Sequence, residues 1–171
     1  MQFKLGPLPE CPCAATVETV GEWWSILILR DAMQGFTRFE QFQRSLGIAP
    51  NMLARRLKHL TDSGVFERRL YSTRPARHEY VLTEKGRDFF PVIAAMIGWG
   101  NRHFAKDGPA LLLADRASGR ALHPVLVDSA SLQPIDADTA MAVAGPQASP
   151  QMRERLAMVA ALRPIPSSSN G

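Results

Sequence analysis

The side chains that could carry chemistry fall into two groups: a pair of cysteines, and a set of basic and amide residues in the first half of the chain. Cys11 and Cys13 are separated by a single residue, so a disulfide between them would be strained. Two cysteines are too few for a disulfide framework and, on their own, too few for a structural zinc site. We therefore expect no metal site and no cofactor.

The basic and amide residues centre on residues 48–64, IAPNMLARRLKHLTDSG. Leucines at i, i+4 and i+7 predict an amphipathic helix with one narrow buried stripe. Three side chains lie on the opposite side of this helix: Asn51, Arg55 and Lys58. Asparagine pairs well with adenine and arginine with guanine in the major groove, so we predict that these side chains reach base edges. Phosphate contact, or plain solvation of a basic helix face, is the alternative interpretation.

Two further side chains of this helix lie off its outer face. Arg56 lies nearer the core edge of the helix, so we expect a structural ion pair there. We expect His59 to be a solvated side chain.

Charge is distributed unevenly along the 171 residues, whose net charge is +4. Residues 36–87 carry 11 basic and 5 acidic side chains, whereas residues 105–171 carry 6 of each. A basic segment in an otherwise neutral chain favours a polyanionic partner, usually nucleic acid, although such residues also serve as solvated surface. No apolar run approaches the roughly 18 residues of a membrane span, and the start of the chain lacks the apolar core of a secretory signal. We therefore expect a cytoplasmic protein with no membrane partner.

The helices that must position these side chains are indicated by apolar spacing and capping residues. Residues 12–20 predict a short helix, and residues 23–34 predict a buried central helix because they are apolar nearly all round. Residues 37–47 predict a third helix that Thr37 can cap. Only a turn of three or four residues separates it from the helix within residues 48–64, which is the helix-turn-helix arrangement.

After the fourth helix the periodicity changes to that of β-strands. Residues 65–71 and 78–83 predict two paired strands, and the link between them is too long for a two-residue turn. This indicates an exposed basic loop, or wing, whose Arg74 and Arg77 we predict to contact the DNA backbone. We predict a phosphate contact also for Arg38, near the start of the third helix.

A long final helix is predicted over residues 84–104, capped by Thr83 and kinked by Pro91. Its apolar residues cover more than one face, which a domain of this size cannot bury, so a second copy of the chain would supply the cover. The order of elements predicts a mainly α fold with a small β-hairpin wing, a dimeric winged helix-turn-helix.

The chain resembles the HxlR-type winged helix-turn-helix transcriptional regulators of prokaryotes. The shared motifs run collinearly through residues 11–104: CP, GEWWSILILRD, GFTRFEQFQRSLGIAPNMLARRLKHL, SGVFERRLY, RPARHEYVLTEKG and the final PV and WG. The resemblance implies a homodimer, formed through the first and last helices of this domain, that binds a two-fold symmetric double-stranded DNA operator and represses or activates transcription. Of these two we expect a repressor.

The resemblance also bears on Cys11, because several members of this family carry a redox-sensing cysteine at that position. A helix N-terminus favours the thiolate, which is the reactive form of a cysteine. The alternative for Cys11 is a half-buried residue without a sensing role. Five aromatic residues either line a pocket for a small-molecule effector or belong to the core: Trp23, Trp24, Phe39, Phe42 and Trp99.

The segment that follows resembles, in its apolar frame, a small zinc-ribbon module found in some HxlR-type proteins. Ser118, Asp128 and Ser131 stand where the module has cysteines, and Arg120 stands where it has a histidine. We therefore expect a degenerate ribbon, a β-hairpin that has lost its metal, with strands in LLLAD and HPVLVD.

The predicted organisation has four parts. Residues 1–10 form an N-terminal arm, residues 11–104 the DNA-binding and dimerisation domain, and residues 105–148 the ribbon-like appendage. Residues 149–171 form a short helix, with Ser149 as its cap, and a disordered tail.

A thiol-redox enzyme that uses Cys11 and Cys13 is the alternative from another functional class. The sequence lacks a CxxC motif, a phosphate-binding glycine loop, a metal-ligand cluster and a Ser/His/Asp signature, so we expect no enzyme activity. A winged helix used only for protein contacts is a third possibility, and the excess positive charge of residues 36–87 weighs against it.

Overall fold

The computed structural model describes residues 10–162, and the predicted arm up to residue 9 and tail from residue 163 lie outside them. The chain divides into two compact units, residues 17–126 and the residues that flank them on both sides. The elements are, in chain order, α1 (Pro12–Val20), α2 (Trp23–Met33), α3 (Phe39–Leu46), α4 (Pro50–Asp62), β1 (Phe66–Thr73), β2 (Ala76–Leu82), α5 (Glu84–Arg87), α6 (Phe90–Phe104), β3 (Leu113–Ala114), β4 (Ala121–Leu122) and α7 (Pro150–Leu162). This is a mainly helical winged helix-turn-helix fold with a small antiparallel hairpin, as predicted.

The core of the larger unit forms around the leucine stripe of α4. Leu53, Leu57 and Leu60 are fully buried, as the spacing predicted. They belong to one cluster with buried residues from α2, α3, β1 and α6: Ile28, Leu29, Phe42, Phe66 and Ile93. Each fully buried aliphatic side chain contributes about 1.5–3 kcal/mol through removal of apolar surface from water. The core therefore fixes which face of α4 points outward.

Helix α2 is largely enclosed, as predicted, because each of its residues after Trp23 is buried or half-buried. Ile28 and Leu29 are fully buried, whereas Trp23 at the helix start is 60% exposed and stacks on Trp24 with ring centroids 3.8 Å apart. Glu22 is the N-cap, and its carboxylate accepts a hydrogen bond from the Trp24 amide at 3.1 Å. The helix thus begins with an exposed apolar surface.

The wing is tighter than predicted. Its strands extend to Thr73 and Ala76, so the turn consists of Arg74 and Pro75 alone, and the prediction of a long basic loop is wrong. Residues that lie between the two predicted strands extend the antiparallel pairing instead of forming a loop. A β-bulge interrupts the register at Tyr71, which has no paired residue on β2.

The hairpin is attached to the helix-turn-helix through the residues that precede α3. The amide of Tyr80 on β2 donates a hydrogen bond to the carbonyl of Thr37 at 2.7 Å, and Arg38 forms a β-bridge with Glu79. This backbone pairing joins residues 37–38 to β2 through an isolated β-bridge. This pairing fixes the position of the wing relative to α3.

The predicted long helix over residues 84–104 is two helices. Thr83 caps the short helix α5, where its hydroxyl accepts a hydrogen bond from the Gly86 amide at 3.1 Å. A Cβ at Gly86 would lie 2.3 Å from the Val65 carbonyl oxygen, so only glycine allows α5 to pack this closely. Pro91 lies in the first turn of α6, where its missing N–H costs nothing, so it starts a helix rather than kinking one.

Helix α6 buries Ile93 and Ala94, packs Ile97 partly against the core and leaves much of its remaining apolar surface exposed. Within the larger unit five of its large apolar side chains are exposed: Phe90, Val92, Met96, Trp99 and Phe104. No helix among the described residues is long and apolar enough to cross a membrane.

The segment after α6 contains little regular structure. Strands β3 and β4 pair over two residues each, Leu113 with Leu122 and Ala114 with Ala121. The second strand therefore precedes HPVLVD, which was predicted as a strand and contributes only an isolated bridge between Val127 and Pro134. The relation of this segment to a zinc ribbon and the four predicted domain boundaries stay predictions.

Two turns of this segment have the same internal hydrogen bonds. Asp115 accepts from the backbone amide and the hydroxyl of Ser118 at 2.8 and 2.7 Å, and Asp128 accepts from the same groups of Ser131 at the same two distances. Each turn continues into a residue with positive φ: Gly119 at 69° and Leu132 at 57°. Two of the positions predicted to replace cysteines, Ser118 and Ser131, thus close turns through hydrogen bonds to aspartates.

We expect these turns to open in acid. The Ser118 hydroxyl, followed by the backbone amide of Ser118, lowers the pKa of Asp115 below its usual 3.8, and Ser131 does the same for Asp128. A lowered pKa in the folded state stabilises the turn above the unfolded-state pKa, and that stabilisation is lost as pH falls through the folded-state value. The amide resonance of Ser118, followed by NMR from pH 6 to pH 2, should shift toward its random-coil position below about pH 4.

The Asp115→Asn variant is the matched control, because an amide oxygen accepts the same bonds without titrating. Its Ser118 resonance should not respond to pH over this range. An equal response in both proteins would contradict the assignment to Asp115.

Candidate nucleic-acid interface

The outward face of α4 presents the three side chains predicted to reach base edges. Asn51, Arg55 and Lys58 are all exposed, and the leucines on the other side of the helix are fully buried. Pro50 occupies the first turn, and the preceding Ala49 supplies no side-chain cap. The first-turn N–H groups of α4 are therefore not satisfied by a capping side chain, and they lie at the same end of the helix as Asn51.

The two cations of this face differ in their surroundings. The Lys58 ammonium forms an i,i+4 ion pair with Asp62 at 2.7 Å, which offsets part of its charge. The Arg55 guanidinium contacts only the Met52 sulfur, at 3.1 Å, and within residues 10–162 it has no ion pair. Arg55 is thus the cation of α4 that retains its full charge for a partner.

Two polar contacts fix the inner edge of α4, one to the start of α2 and one to the end of α1. Arg56 Nε lies 3.4 Å from the Glu22 carboxylate, the structural ion pair that its place on the helix predicted. His59, which the sequence favoured as a solvated side chain, is half-buried instead, and its Nε2 lies 3.0 Å from the Thr19 carbonyl oxygen. That prediction was wrong because helical periodicity does not show that the end of α1 passes beside the last turn of α4.

The start of α3 is capped from inside the helix. The N-cap residue is Arg38 rather than Thr37, and the Gln41 side-chain oxygen accepts hydrogen bonds from the backbone amides of both, at 2.9 and 3.0 Å. Gly47 ends the helix in the left-handed region, with φ of 61°, and turns the chain toward α4. This turn sets the angle between the two helices of the motif.

The wing brings a second group of cations to the surface. Arg74 and Arg77 are exposed, and no ion pair involves either of them in the part of the chain that the structure describes. The Arg38 guanidinium stacks over the ring of Tyr71, with 4.7 Å between its central carbon and the ring centroid. Arg38 therefore lies against β1 of the wing although it belongs to the start of α3.

Other basic residues of the hairpin are engaged with their neighbours. Arg68 contacts the His78 ring nitrogen at 2.9 Å, and Arg69 forms an ion pair with Glu67. These contacts leave Arg74 and Arg77, at the tip, as the hairpin arginines without a side-chain hydrogen bond or ion pair in the described residues.

Two residues of this surface were not selected from the sequence. Arg44, exposed in the last turn of α3, belongs to the basic segment, so only its charge could have indicated it. Tyr71 was assigned to a strand, and its place under Arg38 depends on the bulge, which the sequence does not signal.

The two cysteines lie at the start of α1. Cys11 immediately precedes α1 and is half-buried, Cys13 lies in its first turn and is exposed, and both are free thiols. Among residues 10–162 no three His, Cys, Asp or Glu side chains come close enough together to hold a metal ion.

The five aromatic residues considered for an effector pocket do not enclose one cavity. Phe42 is fully buried between Phe36 and Phe66, whereas Trp23 and Trp99 are more than half exposed. Binding of a small-molecule effector stays a prediction. These five residues do not line a common pocket for it.

The helix-turn-helix and wing described above agree with a known family. The family model of HxlR-like helix-turn-helix proteins matches residues 19–108. The chain belongs to this family. Its relatives include Rv3095 of Mycobacterium tuberculosis, an uncharacterized HTH-type transcriptional regulator that is 43% identical over 112 residues, or 65% of this chain and 71% of the relative.

Two solved structures resemble this HxlR-like protein over more of its length than Rv3095 does. A candidate transcription factor of Pseudomonas aeruginosa, PA1374, is 50% identical, with a TM-score of 0.63 over 85% of this chain and 99% of the other. A second candidate transcription factor, PA1607, is 36% identical, with a TM-score of 0.71 over 79% and 95% of the two chains. The reduced redox regulator HypR is 31% identical, with a TM-score of 0.52 over 57% of this chain and 99% of HypR.

Proposed function

We propose that this HxlR-like protein is a homodimeric, sequence-specific DNA-binding repressor that acts on a two-fold symmetric operator. The observation that carries the proposal is the exposed surface formed by α4 and the wing, on which Arg55, Arg74 and Arg77 have no ion pair among the described residues. Exposed cations without partners are suited to phosphates and base edges, because binding DNA then breaks no existing ion pair.

The roles within this surface follow from side-chain chemistry. Helix α4 enters the major groove, where Arg55 reads guanine and Asn51 reads adenine, each bidentate pair contributing about 1–3 kcal/mol of discrimination. Lys58, already paired with Asp62, contributes less than Arg55. Arg38, Arg74 and Arg77 contact phosphates and set the register of the protein on the duplex.

Dimerisation is supported by the uncovered apolar surface of α6. Met96 and Trp99 are 47% and 51% exposed and lie three residues apart on one helix face. A contiguous apolar surface of this kind is characteristic of an interface, and a two-fold dimer buries the same patch on both copies. Two copies then present two α4 helices to operator half-sites about one helical turn apart.

A thiol-redox enzyme is the alternative from another class. The cysteines are adjacent to α1 and distant in sequence from the basic surface, and their spacing does not form a CxxC motif. Reversal of charge on α4 separates the two hypotheses, because it removes DNA binding and leaves thiol chemistry unchanged.

Arg55→Glu should abolish operator binding. The operator is first obtained by selecting bound sequences from a random-sequence duplex library with the wild-type protein, and affinity is then measured by fluorescence anisotropy. We expect at least a roughly 100-fold loss, since a base contact is replaced by repulsion from phosphates in both subunits.

Arg155→Glu, an equal charge change at an exposed position of α7, is the matched control and should bind within about threefold of wild type. Failure of the library to yield any enriched sequence, or equal binding by both variants, would contradict the proposed function.

Met96→Glu should convert the dimer to a monomer, because a charge cannot be buried without a partner in an apolar interface. Light scattering coupled to gel filtration should give about twice the 18.9 kDa chain mass for wild type and a single chain mass for the variant. Val125→Glu, at another exposed apolar position, should remain dimeric. A dimeric Met96→Glu protein would place the interface elsewhere.

Cys11 is the proposed oxidant-responsive group, supported by its place before α1 and by the likeness to the redox regulator HypR. Diamide, which oxidises thiols to disulfides, should release the wild-type protein and the Cys13→Ser variant from the selected operator, whereas Cys11→Ser should stay bound. Equal release of the Cys11→Ser variant would remove Cys11 from this role.

A further inference from the structure

The stack of Arg38 on Tyr71 joins three parts of the DNA-binding domain. Arg38 is the N-cap residue of α3, its backbone forms a β-bridge with Glu79 on β2, and its guanidinium crosses to the ring of Tyr71 on β1. The distance from the guanidinium carbon to the ring centroid is 4.7 Å, well within the range of a cation–π contact. The Arg38 side chain therefore reaches across the hairpin, from its own backbone beside β2 to the ring on β1.

The bulge at Tyr71 brings the ring into this place. Leu70 pairs with His78 and Ser72 pairs with Arg77, so Tyr71 is an extra residue on β1. An extra residue reorients the side chains around it, which is a common way for a strand to redirect a side chain at a functional site. A regular strand would alternate strictly between the two faces and would not carry this additional residue.

The stack has a consequence for phosphate binding. A free arginine side chain must lose much of its rotamer freedom when it binds a phosphate. A guanidinium held over an aromatic ring has already lost part of this freedom, and its N–H groups remain available to donate. The ring also leaves the positive charge intact, unlike a carboxylate partner.

We propose that Tyr71 is a positioning residue for DNA binding, which holds the Arg38 guanidinium in place to receive a backbone phosphate. This inference rests on the proposed function, because it concerns the same surface. Tyr71 acts through Arg38 and itself makes no contact with the duplex.

The test uses a fluorescein-labelled duplex of mixed sequence, about 30 base pairs long, and full-length protein. Dissociation constants are measured by anisotropy at several NaCl concentrations, because the slope of log K against log[salt] decreases by about 0.9 for each phosphate that the protein no longer neutralises. Arg38→Ala should lower the slope by about this amount in each subunit. Tyr71→Leu, which keeps apolar bulk and removes the aromatic face, should weaken binding about three- to tenfold.

Tyr71→Phe is the matched control, because it keeps the ring and removes only the hydroxyl. It should bind as wild type does. In the Arg38→Ala background, Tyr71→Leu should have no further effect on affinity or slope, since the group that it positions is absent. Thermal unfolding followed by circular dichroism should show all variants folded at the assay temperature.

The outcomes separate this inference from the proposed function. A wild-type protein that does not bind the duplex would overturn both. A wild-type protein that binds with a marked salt slope while Tyr71→Leu binds equally well would overturn the role of Tyr71 alone. A loss of affinity on Tyr71→Leu that is equally large with and without Arg38 would also overturn it, because Tyr71 would then act independently or through the fold.

Discussion

Burial of the α4 leucines is the constraint on which the rest of the structure depends. Leu53, Leu57 and Leu60 are excluded from water by side chains of four other elements, so α4 cannot rotate without exposing them. The polar face of the same helix is thereby fixed toward solvent. Two polar contacts at the inner edge add to this packing, since Arg56 lies at ion-pair distance from Glu22 and the His59 ring lies within hydrogen-bond distance of the Thr19 carbonyl oxygen.

The wing is held by both side-chain packing and backbone pairing. Phe66 of β1 is fully buried, and the residues of β2 from His78 to Leu82 are half-buried. A two-stranded hairpin of this kind is marginal alone, and the pairing of residues 37–38 with β2 ties it to the start of α3. The entrance to α3 and the wing are therefore joined through the main chain.

The sequence predicted the elements whose apolar residues recur at regular spacing. It missed features that depend on contacts between residues far apart in the sequence. The leucine stripe, the Pro50 start of α4 and the Ser149 cap of α7 were all predictable from local patterns. The break between α5 and α6 was predicted only as a kink at Pro91, which instead lies in the first turn of a separate helix. The exposed α4 face could likewise be predicted, whereas the Arg38–Tyr71 stack could not, because it requires strand register and a bulge.

The paired turns at Asp115 and Asp128 have a consequence for how this segment assembles. A turn closed by thiolates on a metal depends on the supply of that metal and is exposed to oxidation of its sulfurs. Here each turn closes with oxygen and nitrogen atoms that lie within three residues of one another, so it forms as a local event with no second reactant. The rate at which such a turn forms therefore does not depend on the concentration of a metal ion. A shortage of metal leaves the turn unchanged.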